Sequence, residues 1–512
     1  MHTFSRHSFS ALNNHRTKTA AITAVIGLFV LSIFAIEANK VPTPTHINGY
    51  YTQHLKWDTC YDNFTCTDLL VPVDYSNLKT GTMKISVLKY AAQDPKHRIG
   101  SLVVNPGGPG ASGVDYAYNA EYLFSPDVLD RYDIVGFDPR GVNLSAPIHC
   151  VNAAETDANY ASDSKPDTNA EFQVAIRDAK DFVKKCESKN KHLTSYTTAN
   201  AARDMDILRA LVGDKKLNYM GKSYGTYLGA LYASLFPDNI GRVVLDGAVD
   251  PTITDLEMTK NQAVGFDLAF NDFVKDCLQV SSCPLTGTPQ EATTQFLAIL
   301  HSAAKNPLPI KNAKGDKRVV TESLLVVGTA SALYESTDGW PRLRKAIREA
   351  RDGYADTYIK LADEYTGREK DGTYPRNEFD SGAIIDCLDF SDHRSPDQIR
   401  IDAAVIAKAA PVFGPYIAYS GLMCKYLASP EPTEVVKTET NSPMIIIGTT
   451  GDPATPYAWA KGLASLLPNS RLLTFVGDGH TGHGRGSACI DDAVDAYYLK
   501  GTLPAAGLRC SL

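Results

Sequence analysis

Six short apolar runs punctuate the chain: Ser101–Val104, Tyr132–Phe137, Leu217–Met220, Arg242–Leu245, Met444–Ile447 and Arg471–Val476. Each is bounded by turn-forming residues and is too short for a helix, as expected of strands buried in a parallel sheet. Between them the apolar spacing changes to the helical period. Asn200–Leu211 puts Met205, Leu208 and Leu211 on one face, with Asn200 suited to the N-cap. Strands alternating with helices predict an α/β fold. From residue 252 to 432 the rhythm is helical, as in Gln295–Ala304 and Leu343–Ala350. The strand pattern returns at Met444, after Pro430-Glu431-Pro432. A sheet that looks unfinished at Asp250 and then resumes predicts one core in two parts, residues 45–251 and 433–512. A mostly helical cap, residues 252–432, is inserted between the sheet strands. An independent second domain is the competing arrangement.

Residues 1–38 stand apart. His7, His15, Arg16 and Lys18 precede an uncharged run, Ala20–Ile36, followed by Glu37 and Ala38. This reads as a secretory signal cut after Ala38, or as a retained N-terminal anchor giving the chain its attachment to a membrane. Ten cysteines, an even number, fit an oxidising compartment. Their spacing suggests nearest-neighbour pairs: Cys60–Cys66, Cys150–Cys186, Cys277–Cys283, Cys387–Cys424 and Cys489–Cys510. No C-x-x-C pair occurs, and His480 and His483 lack a third ligand beside them, so no metal is expected, nor any cofactor. The net charge of −7 and the absence of a Lys/Arg run exclude the basic surface that a nucleic-acid partner demands.

The chemistry concentrates at Gly221-Lys222-Ser223-Tyr224-Gly225, a G-x-S-x-G between an apolar strand and a helix-like stretch, Thr226–Phe236. In such an elbow the serine is exposed on a sharp turn, and flanking side chains would collide with neighbouring elements. That layout defines an α/β-hydrolase fold with Ser223 as nucleophile. A serine hydroxyl needs a general base, and the expected chain order is serine, acid, histidine. Asp452 follows the Met444–Ile447 strand, and His480 is the first histidine after the next strand. His483 competes for the base and Asp478 for the acid, but Asp478 is only two residues from His480. The oxyanion donors are predicted to be the backbone N–H groups of Tyr224 and of Gly108, in the loop Asn105–Gly113; Pro109 has no N–H to give.

Taken together, NPGGPGASG from Asn105, DIVGFDPRGVNLSAP from Asp133, GKSYGTYLGALYASLFPDNIGRVVLDGAVDP from Gly221 and GDPATP from Gly451 resemble the secreted actinobacterial tripeptidyl aminopeptidases. These belong to the prolyl-aminopeptidase-like clan of α/β-hydrolases. The resemblance spans residues 45 to 512, and the region with Asp452, His480, Cys489 and Cys510 is similar to that family's C-terminal part. It implies an exported serine exopeptidase that releases short peptides, tripeptides among them, from free N-termini. It also implies Ser223 as nucleophile, His480 as base and acid, and Asp452 as orienting carboxylate. Asn105 stands where prolyl aminopeptidases usually carry His. No acidic residue of the cap maps onto the substrate ammonium. An esterase or lipase-like hydrolase is the alternative, since the same machinery cleaves esters. A non-catalytic binding protein on a hydrolase scaffold is the third reading.

Overall fold

The structure, a computed structural model, describes residues 44–312, 315–390, 394–428, 436, 440, 442–467 and 469–512. The leader and the Pro430-Glu431-Pro432 segment lie outside them. Residues 44–512 form one compact unit.

Ten strands make the main sheet, in the order β1-β2-β3-β5-β4-β6-β7-β10-β11-β12. They are β1 (Asp58–Thr59), β2 (Phe64–Pro72), β3 (Thr82–Tyr90), β4 (Gly100–Asn105), β5 (Tyr132–Phe137), β6 (Leu217–Lys222), β7 (Ile240–Asp246), β10 (Met444–Gly451), β11 (Arg471–Asp478) and β12 (Arg509–Cys510). A small separate hairpin pairs β8 (Leu308–Pro309) with β9 (Val319–Val320). From β5 onward in this order the neighbours are parallel, and β1, β2 and β3 add an antiparallel edge. No continuous apolar run in the sequence marks β2 or β3. Along β3, buried Met83, Ile85 and Val87 alternate with Lys84 and Ser86. That is the half-buried pattern of an antiparallel strand, which a search for continuous apolar runs passes over.

The parallel strands divide their side chains between two cores. Val103, Tyr219, Leu245 and Ile446 pack beneath the helices Thr198–Leu211, Tyr224–Leu235 and Tyr457–Leu466. Leu102, Val104, Met220, Val244, Ile445 and Ile447 face the opposite way, toward the helix Ala488–Lys500. The helix expected to begin at Asn200 starts earlier. Its N-cap is Thr197, whose hydroxyl accepts the Asn200 N–H, so a turn assigned to the approach is helical.

Between β7 and β10 the described residues are mostly helical, from Asp255–Leu278 to Pro396–Ala409, with the β8–β9 hairpin among them. Phe270, Phe273, Phe296, Leu325, Leu343 and Tyr358 form a hydrophobic core within it. Bonds join Cys60–Cys66, Cys150–Cys186, Cys277–Cys283, Cys387–Cys424 and Cys489–Cys510, and no described cysteine is free.

Candidate active site

After β4 the chain crosses to β5 on one side of it and later to β6 on the other. Such a reversal opens a crevice at the carboxyl ends of the strands. Ser223 follows β6 at that point, with φ 54° and ψ −128°. A non-glycine residue in this region is strained and persists only when its surroundings over-determine it. They do so here. A Cβ on Gly221 would stand 2.2 Å from the Gly225 carbonyl oxygen, and one on Gly225 would stand 2.7 Å from Asn105 Oδ1. The helix Tyr224–Leu235 therefore sits hard against β4 and β6, and no side chain fits at either glycine.

The loop after β4 lies on the same elbow. A Cβ on Gly107 would come 2.9 Å from Ser223 Cβ and 3.1 Å from the Tyr224 nitrogen. The Gly107 N–H is already held by Asn105 Oδ1 at 3.0 Å, whereas the Gly108 N–H has no acceptor among the described residues. Asn105, fully buried, thus fixes the loop through its side-chain carbonyl.

Asp452 and His480 meet on the far side of β7. His480 Nδ1 lies 2.9 and 3.0 Å from the two Asp452 carboxylate oxygens. The same carboxylate accepts the N–H groups of Ala454, Thr455 and Thr481 and the Thr455 hydroxyl, at 2.8–3.1 Å. Donors reach both of its oxygens, so the contact with Nδ1 suits an Nδ1–H donor and leaves Nε2 to work as a base. Thr455 also places its hydroxyl 3.4 Å from His480 Nδ1. Ser223 and His480 flank one strand end. The Ser223 N–H donates to the Asp246 carbonyl at 2.8 Å, and a Cβ on the adjacent Gly247 would lie 3.2 Å from His480 Cε1. From the helical insertion, the Tyr334 carbonyl accepts the His480 N–H at 2.8 Å, and the two rings meet edge to face at 5.0 Å.

The two competing residues do other things. His483 is buried against Phe124, and burial together with the Lys222 ammonium lowers its pKa to about 3, so it is a poor base. Asp478 offers its main-chain carbonyl to Arg485 at 2.8 Å, and its side chain makes no bond to His480.

One acidic pair escapes sequence reasoning. In the helix Glu378–Asp389, a Cβ on Gly382 would lie 2.8 Å from the Pro109 carbonyl of the loop beside Ser223. Asp386 and Asp389 follow on the same side of the helix, at spacings of four and three residues. Asp389 accepts the Thr198 N–H and hydroxyl, and Thr198 in turn contacts the Tyr224 hydroxyl. Among the described residues no side-chain hydrogen bond or ion pair reaches the Asp386 carboxylate. Crowding by the surrounding protein, then the charges of Asp389 and Asp255, push its carboxyl up to about 8; crowding alone pushes Asp389 up to about 7. Only the fold brings residues 109, 198, 224 and 386 together, so no local pattern could mark them.

A strained serine at a sheet reversal, beside a carboxylate-held imidazole, is the layout of a serine hydrolase. The chain belongs to the α/β-hydrolase fold family, whose sequence profile matches residues 100–486. It is 36% identical over 458 residues to the serine protease Hip1 of Mycobacterium tuberculosis, covering 87% of each chain. Carboxylesterase B of the same species is 36% identical over 463 residues, covering 87% of this chain and 86% of the other. The tripeptidyl aminopeptidase of Streptomyces lividans is 30% identical over 478 residues, with 89% and 86% covered.

Proposed function

We propose that this enzyme is an exported serine exopeptidase that releases short peptides, tripeptides among them, from free N-termini. The observation that carries the catalytic part is the bidentate hold of Asp452 on His480 Nδ1, across β7 from the strained Ser223. In this reading Ser223 Oγ attacks the scissile carbonyl while His480 Nε2 takes its proton. The oxyanion forms against the N–H groups of Tyr224 and Gly108. His480 then hands the proton to the leaving amine, and the C–N bond breaks to leave an ester on Ser223. Water, deprotonated by the same nitrogen, attacks that ester. A second tetrahedral species collapses to the free acid, and Ser223 Oγ regains its proton from His480.

Free N-termini are favoured by Asp386 and Asp389. An aminopeptidase must seat the substrate ammonium, and among the described residues no side-chain hydrogen bond or ion pair reaches the Asp386 carboxylate, on the helix that abuts the Pro109 loop. An ammonium between the two acids would relieve their repulsion and satisfy Asp386. Relatives named serine protease and tripeptidyl aminopeptidase support peptide substrates. Five disulfides among the described residues support an extracytoplasmic site of action. The helical insertion, which grips the His480 loop through Tyr334, is read as a cap over the crevice.

The relative named Carboxylesterase B favours a second reading, an esterase on the same machinery. Tripeptidyl-chromophore amides with free or acetylated N-termini, assayed beside simple acyl esters, separate the two. Preference for the free amine supports the exopeptidase. Equal or faster cleavage of the blocked amide, or turnover of esters alone, overturns it.

A further inference from the structure

The loop carrying His480 is bonded along its backbone to fixed acceptors. The Thr481 N–H goes to Asp452 at 3.1 Å, and the Gly484 N–H goes to Asp491 at 2.8 Å. Between them, the Gly482 and His483 N–H groups both go to the Asp246 carboxylate, at 2.8 and 3.0 Å. Asp246 differs from the other acceptors in also holding the nucleophile, because its main-chain carbonyl accepts the Ser223 N–H at 2.8 Å. Lys222, the residue before Ser223, completes the arrangement. Its Nζ donates to the His483 carbonyl at 2.7 Å and lies 3.6 Å from Asp246 Oδ2.

This ion pair is enclosed. The Asp246 side chain is 0% exposed and that of Lys222 14%. Burying two charges is costly, and apolar residues of the same volume often serve stability as well or better. Apolar residues would, however, leave two loop N–H groups without acceptors and the His483 carbonyl without its donor. What the pair supplies and packing cannot is a fixed connection between two loops that meet only in the folded chain.

We infer that Asp246 and Lys222 are positioning residues that tie the nucleophile elbow to the base loop and set the register of Ser223 against His480. Neither touches the reacting atoms. The inference rests on the catalytic assignment proposed above, and it predicts a defect in the chemical step rather than in substrate binding. Misplacing a catalytic group by about 1 Å costs on the order of 10²-fold in rate.

The decisive variant is Asp246→Asn. Its amide has one oxygen for two N–H groups and turns an NH₂ toward a donor. Expected are a fall in kcat and in the rate of Ser223 phosphonylation by a fluorophosphonate, each on the order of 10²-fold, with KM within about twofold of the parent. Should this variant fail to fold, Lys222→Met combined with Asp246→Asn removes both charges and is judged by the same readouts. Parental kcat and phosphonylation in the variant that folds, or a loss confined to KM, overturns the inference. Ser223→Ala keeps the two ideas apart. If Ser223→Ala stays active, the catalytic assignment itself falls; if it is dead and Asp246→Asn is normal, only the positioning role falls.

Discussion

At the scale of single residues, local chemistry sets what each side chain does. Among the described residues no hydrogen bond or ion pair reaches the Asp386 carboxylate, and the charges of Asp389 and Asp255 lie near it, so its removal should act on binding of a charged amine. Asp386→Asn is expected to raise KM for free-amine peptides by about 10- to 100-fold, the worth of one charge-assisted hydrogen bond, and to leave simple esters unaffected. Steady-state kinetics on both substrate types checks this; equal effects on the two would count against an ammonium seat. His483 gives a pH signature. Its folded pKa is depressed to about 3 from the unfolded value of about 6.5. Below about 6.5 the unfolded chain takes up a proton that the folded chain refuses, so this contribution to stability is complete above that pH and is lost as pH falls toward 3. Urea unfolding of the parent and of His483→Gln at pH 7 and pH 5 should show the smaller pH dependence in the variant. Ser223, Asp452 and His480 stand out as candidates in the sequence because glycines, strand ends and chain order mark them locally. Asp246 and Asp386 do not, since Asp246 acts on residues far away in sequence and Asp386 looks like any surface acid.

At the scale of elements, the elbow depends on two helix–strand approaches that admit no side chain. Gly221→Ala would drive a Cβ to within 2.2 Å of the Gly225 carbonyl, a backbone atom that cannot rotate away. Overpacking of this kind costs about 1–3 kcal/mol, and here it displaces the nucleophile as well. Both the unfolding midpoint and kcat should drop, with kcat falling further than lost stability explains. The same scale shows what sequence periodicity can carry. The buried parallel strands announce themselves as apolar runs, while β2 and β3 were passed over because one face of each meets solvent. Thr197 displaced Asn200 as the cap because both side chains can cap and the helix takes whichever lies at its true first turn.

For the molecule as a whole, the disulfides tie segments to the elements beside them, and Cys489–Cys510 joins the helix Ala488–Lys500 to the edge strand β12. Cys150–Cys186 encloses a segment with a sequence separation of 36, and Cys387–Cys424 one of 37, the latter anchoring the helix that bears Asp386. Loops of that length give each bond about 2–4 kcal/mol through the unfolded chain. Reduction under native conditions should therefore lower Tm, and thermal scans with and without dithiothreitol measure the effect; an unchanged Tm would deny the bonds a stabilising role. The parallel sheet with its intervening helices could be read from the chain. The contact of Tyr334 with His480 could not, because the two residues lie far apart in the chain and leave no sequence pattern.

The central claim is that Ser223 attacks the carbonyl of a peptide presented by its free N-terminus. Its most direct measurement is kcat/KM for a free-amine tripeptidyl chromophore in the parent and in Ser223→Ala, with folding followed by circular dichroism. A folded variant reduced by on the order of 10⁴-fold or more is predicted, since the catalytic residues act as a unit. A folded Ser223→Ala within about tenfold of the parent would contradict the account, because losing the nucleophile of such a unit costs far more.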